Sequence, residues 1–360
     1  MEFIKKTSPY LKRKDNVKQM LLDVVIALLP TLIFTFIVYP LDALRVLLLS
    51  VFTFETCELL FVLITKKNVK AFTLVNGLSA LISGLIYGLM LPGNLSWDNG
   101  MGYFIVIIGA LIGSIFGKLV FGGFGNNIFN PAALGGIIVR SFWGSYLYHS
   151  SSAYRANLAE DIFSGGTALG ISSYESINHI SLLDMFLGKT AGALGEGFII
   201  TILIGLFYLL FRRTIDYRTF LSYFVTFALL MLLAGIIVHY KLPDVSMWRF
   251  LLFELLAGGF LFGSVFMITD PVTGPMGSPS RVIFGMFGAI IVVFIRLFTA
   301  SPEGVGYSIL FANMIAPVLD YPKWSSSRWK KWHFIVIGVM AVIAVLVVTL
   351  VLNFKEGAIQ

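Results

Sequence analysis

Residues 334–352 read FIVIGVMAVIAVLVVTLVL, an apolar run broken by one threonine and no charge. A hydrocarbon core of about 30 Å takes roughly 20 helical residues to cross, so this stretch alone predicts a transmembrane helix. Comparable runs lie upstream at 21–39, 43–64, 72–91, 101–120, 127–147, 193–211, 218–239, 249–269, 282–299 and 304–319. Only helices and closed barrels satisfy their backbones in lipid, and barrel strands alternate apolar with polar residues. These runs do not alternate. The expected fold is an all-α polytopic membrane protein of about 10 transmembrane helices, or 11 if the last run crosses. The composition agrees, with 58% hydrophobic and 12% charged residues, the latter roughly half the share of a soluble domain.

The net charge of +7 is explained by where the basic residues sit, so nucleic acid is not among the expected partners. Lys5, Lys6, Lys12, Arg13, Lys14 and Lys18 precede the first run. Lys66, Lys67 and Lys70, then Arg212, Arg213 and Arg218, then Lys323, Arg328, Lys330 and Lys331 occupy later short loops. If every run crosses, all these groups fall on one side. Cytoplasmic loops carry the excess of Lys and Arg, so that side, with the N-terminus, is expected to be cytoplasmic. The six tryptophans lie at or near run ends, where an amphipathic ring suits the interface. The first run is longer than a signal-peptide core and lacks a cleavage pattern, so Met1 is expected to persist. The single Cys57 excludes a disulfide framework or Cys-ligated metal site built from this chain alone.

Segment 1–20 reads as a cytoplasmic N-terminal stretch, 21–147 as a first membrane unit, and 148–192 as one large loop on the extracytoplasmic side. A second unit follows at 193–320, then a basic loop with the last helix at 321–360. A loop of about 40 residues between compact helices is usually functional or disordered. Five runs before the loop and at least five after it make the two units inverted in the membrane. Short echoes agree: Leu89-Met90-Leu91-Pro92 with Ile268-Thr269-Asp270-Pro271, and Gly123-x-Gly125-x-x-Ile128 with Gly304-x-Gly306-x-x-Ile309. Gly- and Pro-containing breaks are expected at 122–132, 269–279 and 304–317. Irregular backbone at membrane depth is tolerated only where protein or a watery cavity covers it.

Within the large loop, Asp161-Ile162-Phe163-Ser164-Gly165-Gly166-Thr167 places a hydroxyl after two glycines. Glycines let backbone N–H groups approach an anion closely, so the segment reads either as a phosphate seat with an accessible threonine or as a plain turn. Asn127 and Asn130 stand beside Pro131, as ligands of a bound group, as lining of an ion path or as inter-helix hydrogen-bonding groups. Asp270, with Thr269 and Thr273, offers oxygens for a hard cation such as Na⁺ or for a proton relay, or caps a helix end. Glu55 and Glu58 share a helical face at i, i+3 spacing, with no partner named by the sequence. The four histidines show no metal-ligand spacing, and no Walker loop or dinucleotide fingerprint appears.

The Asp-x-x-Ser-Gly-x-Thr pattern resembles the flavin-attachment motif of membrane redox proteins. The likeness extends along the chain: Ser8-Pro9-Tyr10, the Met20 to Pro30 run, Gly122-Gly123-Phe124-Gly125-Asn126-Asn127-Ile128-Phe129-Asn130-Pro131-Ala132, Thr269-Asp270-Pro271-Val272-Thr273, and Glu303-Gly304-Val305-Gly306 with Leu310-Phe311-Ala312-Asn313. In this order the elements are similar to the D-type subunit of the Rnf ion-translocating electron transport complex. Its relative, the B-type subunit of the Na⁺-translocating NADH:quinone reductase, usually carries a longer N-terminal extension, whereas this chain starts close to its first run. The motif departs from the family in Gly166, where alanine is usual, and Ile162, where glycine is frequent. The resemblance implies FMN joined through its phosphate to the Thr167 oxygen, with Ser164, Gly165 and Gly166 contacting the phosphate and Asp161 aiding recognition by a flavin transferase or capping a turn. It also implies a second, non-covalent flavin (riboflavin) near Asn127 and Asn130, and a urea-transporter-like fold. Electron transfer would be coupled to Na⁺ or H⁺ movement in the cytoplasmic membrane of a bacterium or archaeon. Implied partners are the other Rnf subunits, including an extracytoplasmic flavin-bearing one; NADH or ferredoxin chemistry would lie on other chains. Two other readings of the frame stay open: a urea-channel-like solute transporter, and a passive scaffold without flavin.

Overall fold

The computed structural model describes residues 16–93, 95, 97–155, 177, 181–188, 192–298, 304–321, 325 and 328–354. Thirteen α-helices occur among them and no strand: α1 Val17–Val38, α2 Pro40–Lys66, α3 Leu74–Leu89, α4 Met101–Gly117, α5 Pro131–Arg155, α6 Leu182–Phe186, α7 Ile199–Arg212, α8 Tyr217–Lys241, α9 Met247–Leu256, α10 Phe260–Phe266, α11 Ser278–Phe298, α12 Val305–Leu319 and α13 Lys331–Phe354. Every apolar run of the sequence coincides with one helix or, at 249–269, with a bent pair. Six helices are long and apolar enough to cross a membrane, and a seventh span forms if α9 and α10 count as one. The chain is an all-helical, multi-pass membrane protein. The apolar helices α3, α7 and α12 are shorter, at 16, 14 and 15 residues.

Two expectations about breaks are corrected. The run 249–269 is bent by 53° between α9 and α10, because Gly258 and Gly259 both take left-handed backbone angles, φ 65° and 64°, which side chains disfavour. Arg296 reaches across from α11 to this bend and donates to the Glu254 and Ala257 carbonyls, which the bend strips of helical partners. Conversely, 304–317 is not broken: α12 runs on through Pro317. Trp143 stands at a kink in α5 where two helical pieces join, close to the end of the 127–147 run.

The packing has a pattern. α2 lies against α3 and α4, and α4 against α5; α8 lies likewise against α9 and α11, and α11 against α12. α1 meets α7, and α5 meets α12. α4 and α5 touch backbone to backbone, since a β-carbon at Gly113 would sit 2.4 Å from the Pro131 carbonyl oxygen and one at Gly117 2.7 Å from Pro131 Cα. Small residues at such a crossing replace the hydrophobic driving force that lipid cannot supply.

The described basic clusters gather at one end of the bundle. Asp23 on α1 accepts from Tyr208, Arg212 and Thr214, tying the start of α1 to the end of α7. Lys241 donates to the Leu352 carbonyl, so α8 and α13 run parallel and Lys330 and Lys331 share an end with Arg218. At the opposite end Trp97 donates to Asp42 at 3.0 Å, and Pro92 bridges to Ala193.

Candidate functional site

At the basic end, two stretches of irregular backbone meet. The first follows α4, where Gly122, Gly123 and Gly125 have positive φ and the chain re-enters a helix at Pro131. Asn130 caps that helix: its Oδ1 accepts from the N–H groups of Ala132 and Ala133, both at 3.1 Å. Proline at the next position costs nothing there, because the first helical N–H has no intrahelical partner. The second stretch follows α10. In it the Asp270 carboxylate accepts from Val272 N–H at 3.1 Å and from the Thr273 hydroxyl at 3.2 Å, while Thr269 donates back to the Val265 carbonyl.

A cavity of about 100 Å³ lies between them, lined by Ser79, Ser83, Phe124, Asn130, Thr269 and Asp270, among others. A second cavity of about 810 Å³ shares Met20, Thr214, Ile215, Thr269, Asp270 and Pro271 with it and adds Arg213, Asp216 and Arg281. Asp270 therefore stands where a larger outer cavity, with Arg213, Asp216 and Arg281 in its lining, adjoins a smaller inner chamber. Arg281 pairs with Asp216 and donates to the Pro275 carbonyl, and Asp320 accepts from Met276 N–H with both oxygens, at 3.0 and 2.9 Å. These contacts fasten the Asp270 loop from two sides.

Asn130, Thr269 and Asp270, distant in sequence, thus line one space, and Thr273 orients the carboxylate. Asn130 caps α5 and also bonds across to α12, whereas Asp270 caps no helix: it brackets the turn to Thr273, between α10 and α11. Asn127 lines neither cavity; its Oδ1 is buried with no hydrogen-bond partner among the described residues. Asp161, Ser164, Gly165, Gly166 and Thr167 lie outside the described residues.

Several groups here were not singled out by sequence reasoning. Glu58 does find a partner within the chain: Lys118 lies 2.8 Å away, with 1% of either side chain exposed. Asn76 donates to the other Glu58 oxygen at 3.0 Å, and Lys118 donates to Ser79, a cavity residue, at 3.0 Å. Lys118 was legible as a lone cation closing an apolar run, and Asn313 as a lone amide inside one; each is costly enough in lipid to demand a role. Asn313 accepts from Asn130 N–H at 3.1 Å and donates to the Thr273 carbonyl at 3.3 Å. A separate ion pair, Arg296 with Glu254 at 2.8 Å, braces the α9/α10 bend.

The sequence is 34% identical over 251 residues to the B-type subunit of the Na⁺-translocating NADH-quinone reductase of Chromohalobacter salexigens, covering 67% of this chain but only 57% of that protein. It is 28% identical over 316 residues to the D-type subunit of the Na⁺-translocating ferredoxin:NAD⁺ oxidoreductase complex of Acetobacterium woodii, covering 87% and 91%. Against the D-type subunit of the proton-translocating ferredoxin:NAD⁺ oxidoreductase complex of Clostridium ljungdahlii the identity is 28% over 325 residues, covering 87% and 92%. Residues 4–328 match a single family description, and the chain belongs to the NQR2, RnfD, RnfE family.

Proposed function

We propose that this chain is a D-type membrane component of an ion-translocating oxidoreductase complex, carrying electrons through covalent FMN and helping couple their passage to Na⁺ or H⁺ movement. The observation that carries the reading is the shared cavity: Asn130 from one half and Asp270 from the other line one inner chamber, and Asp270 also lines the outer one. A passive scaffold needs no carboxylate facing a cavity. The alignments with the two D-type relatives take in 87% of this chain, against 67% with the B-type protein, which favours the D-type. The Asp270 carboxylate suits a hard cation or a proton, and the relatives' names carry both ions.

The packing supports an inverted-repeat frame of about ten spans. The pairs α2–α3, α2–α4 and α4–α5 recur as α8–α9, α8–α11 and α11–α12. α1–α7 and α5–α12 each join an element to its counterpart, as a two-fold axis in the membrane plane requires. The short helices α3, α7 and α12 complete their crossings with adjoining irregular backbone. With the basic end cytoplasmic, the 148–192 loop emerges outside, where Thr167 is the FMN anchor, Ser164, Gly165 and Gly166 are the phosphate contacts, and Asp161 serves recognition by the flavin transferase or caps a turn. Other subunits, among them an extracytoplasmic flavin carrier, are the partners.

A second, non-covalent flavin is proposed beside the break at 122–132 on one observation, the buried Asn127 Oδ1 that has no partner among the described residues and can accept from a ring N–H; Asn130 faces the inner chamber instead. Flavin, when bound, supplies the electron-carrying chemistry. The chain's own part is to hold the ring and to offer Asp270, Thr269 and Thr273 oxygens to the ion. Moving one charge against 100 mV takes about 2.3 kcal/mol, a cost that a downhill electron step covers.

The test is ultraviolet fluorescence on a denaturing gel, with wild type and Thr167→Val each produced alongside the flavin transferase. The wild-type band is expected to fluoresce and the variant to be dark. A dark wild-type band defeats the covalent-flavin reading, and a fluorescent variant moves the anchor elsewhere.

A further inference from the structure

Asn313 is 1% exposed and belongs to α12, yet both its amide atoms are spent on the two breaks rather than on α12 itself. Its Oδ1 takes the Asn130 N–H, and its Nδ2 gives to the Thr273 carbonyl. Oδ1 faces a donor and Nδ2 an acceptor, so only one orientation of the amide satisfies both; a flip would oppose like groups at each end. The chain of bonds continues on either side. From Asn130 it passes through Oδ1 to the first turn of α5. From Thr273 it passes through the hydroxyl to Asp270.

We propose that Asn313 is a positioning residue that couples the two breaks, so that a cation or proton arriving at Asp270 alters the setting of Asn130 at the head of α5. This rests on the reading of Asp270 as the ion ligand. The Thr273 hydroxyl binds Asp270 and its carbonyl binds Asn313, so a carboxylate that exchanges the hydroxyl for an ion releases or turns the residue Asn313 holds. In a low-dielectric interior such bonds are strong while made and costly while broken. The linked breaks therefore favour both contacts formed or both lost, the two-state element that coupling between sites requires. Only an amide of this length serves: aspartate keeps the Asn130 bond but cannot donate to Thr273, and leucine fills the space with neither bond.

The experiment uses the assembled complex in liposomes, comparing wild type, Asn313→Leu, Asn313→Asp and Asp270→Asn. Electron-transfer rate is measured together with charge moved across the membrane per electron, read with a potential-sensitive dye. Asn313→Leu is expected to keep passing electrons while charge per electron falls about fivefold or more, the low end of typical coupling between sites. Asn313→Asp, which keeps the side chain's size and one bond, is expected to fall in the same direction and serves if the leucine variant does not assemble. An unchanged ratio in both Asn313 variants, with Asp270→Asn lowering it, overturns the proposal and leaves the Asp270 reading intact. Rate and ratio falling in parallel, or failure of both Asn313 variants to assemble, assigns Asn313 to architecture alone and overturns it as well. A ratio unmoved by Asp270→Asn removes the ion reading on which the proposal stands.

Discussion

Lys118 and Glu58 are both about as far from water as a side chain can be, 1% exposed and 2.8 Å apart. Taking two charges out of water is expensive, and their attraction offsets that cost only when the remaining polar atoms are also satisfied. Asn76 and Ser79 do this. Removing one partner strands the other, which costs about 3–5 kcal/mol, whereas replacing both with apolar groups is often neutral. Lys118→Met is therefore expected to lower the thermal unfolding midpoint of the detergent-purified protein sharply, and Glu58→Leu with Lys118→Met to recover most of the loss. A double variant as unstable as the single would show that the site matters through something other than pairing. The i, i+3 spacing placed Glu55 and Glu58 on one face of α2. It held no information about a lysine at the end of α4, because that contact depends on how the helices cross.

At the level of elements, the α4/α5 crossing decides where the site can form. Gly113 and Gly117 let the head of α5 lie directly on α4, and Asn130 caps that head. A methyl group at Gly117 meets backbone, which cannot swing aside as a side chain can, so Gly117→Ala is expected to cost about 1–3 kcal/mol as overpacking does. It should also loosen the non-covalent flavin, read as flavin lost on gel filtration. Gly338→Ala, whose added carbon meets nothing within 4 Å, should change neither property. The helices themselves were readable because apolar length is a local property of the chain. The α9/α10 bend has a local cause too, in Gly258-Gly259. What was not readable is that Arg296, from another helix, would occupy the carbonyls the bend leaves open.

For the whole molecule, the packing pairs and the gathered basic clusters make a topological prediction. Lys66, at the end of α2, and Tyr240, 88% exposed near the end of α8, belong to opposite ends. With a membrane-impermeant thiol reagent on intact cells, Tyr240→Cys should label and Lys66→Cys should label only after permeabilisation. Native Cys57, 8% exposed within α2, should stay silent in both. The reverse pattern would invert the chain and place the 148–192 loop inside. The sequence by itself determined that the protein is helical and membrane-embedded, roughly where each helix runs, and how the basic residues divide between its ends. Apolar length and charge placement act on each segment through the bilayer alone, without reference to other segments. Tertiary structure decided which polar residues meet: Asn130 with Asn313, 183 positions away, Glu58 with Lys118, and Asn130 with Asp270 around one cavity. Inside a bundle a buried polar group must be satisfied by whichever partner the packing brings. Spacing along the chain does not encode that choice.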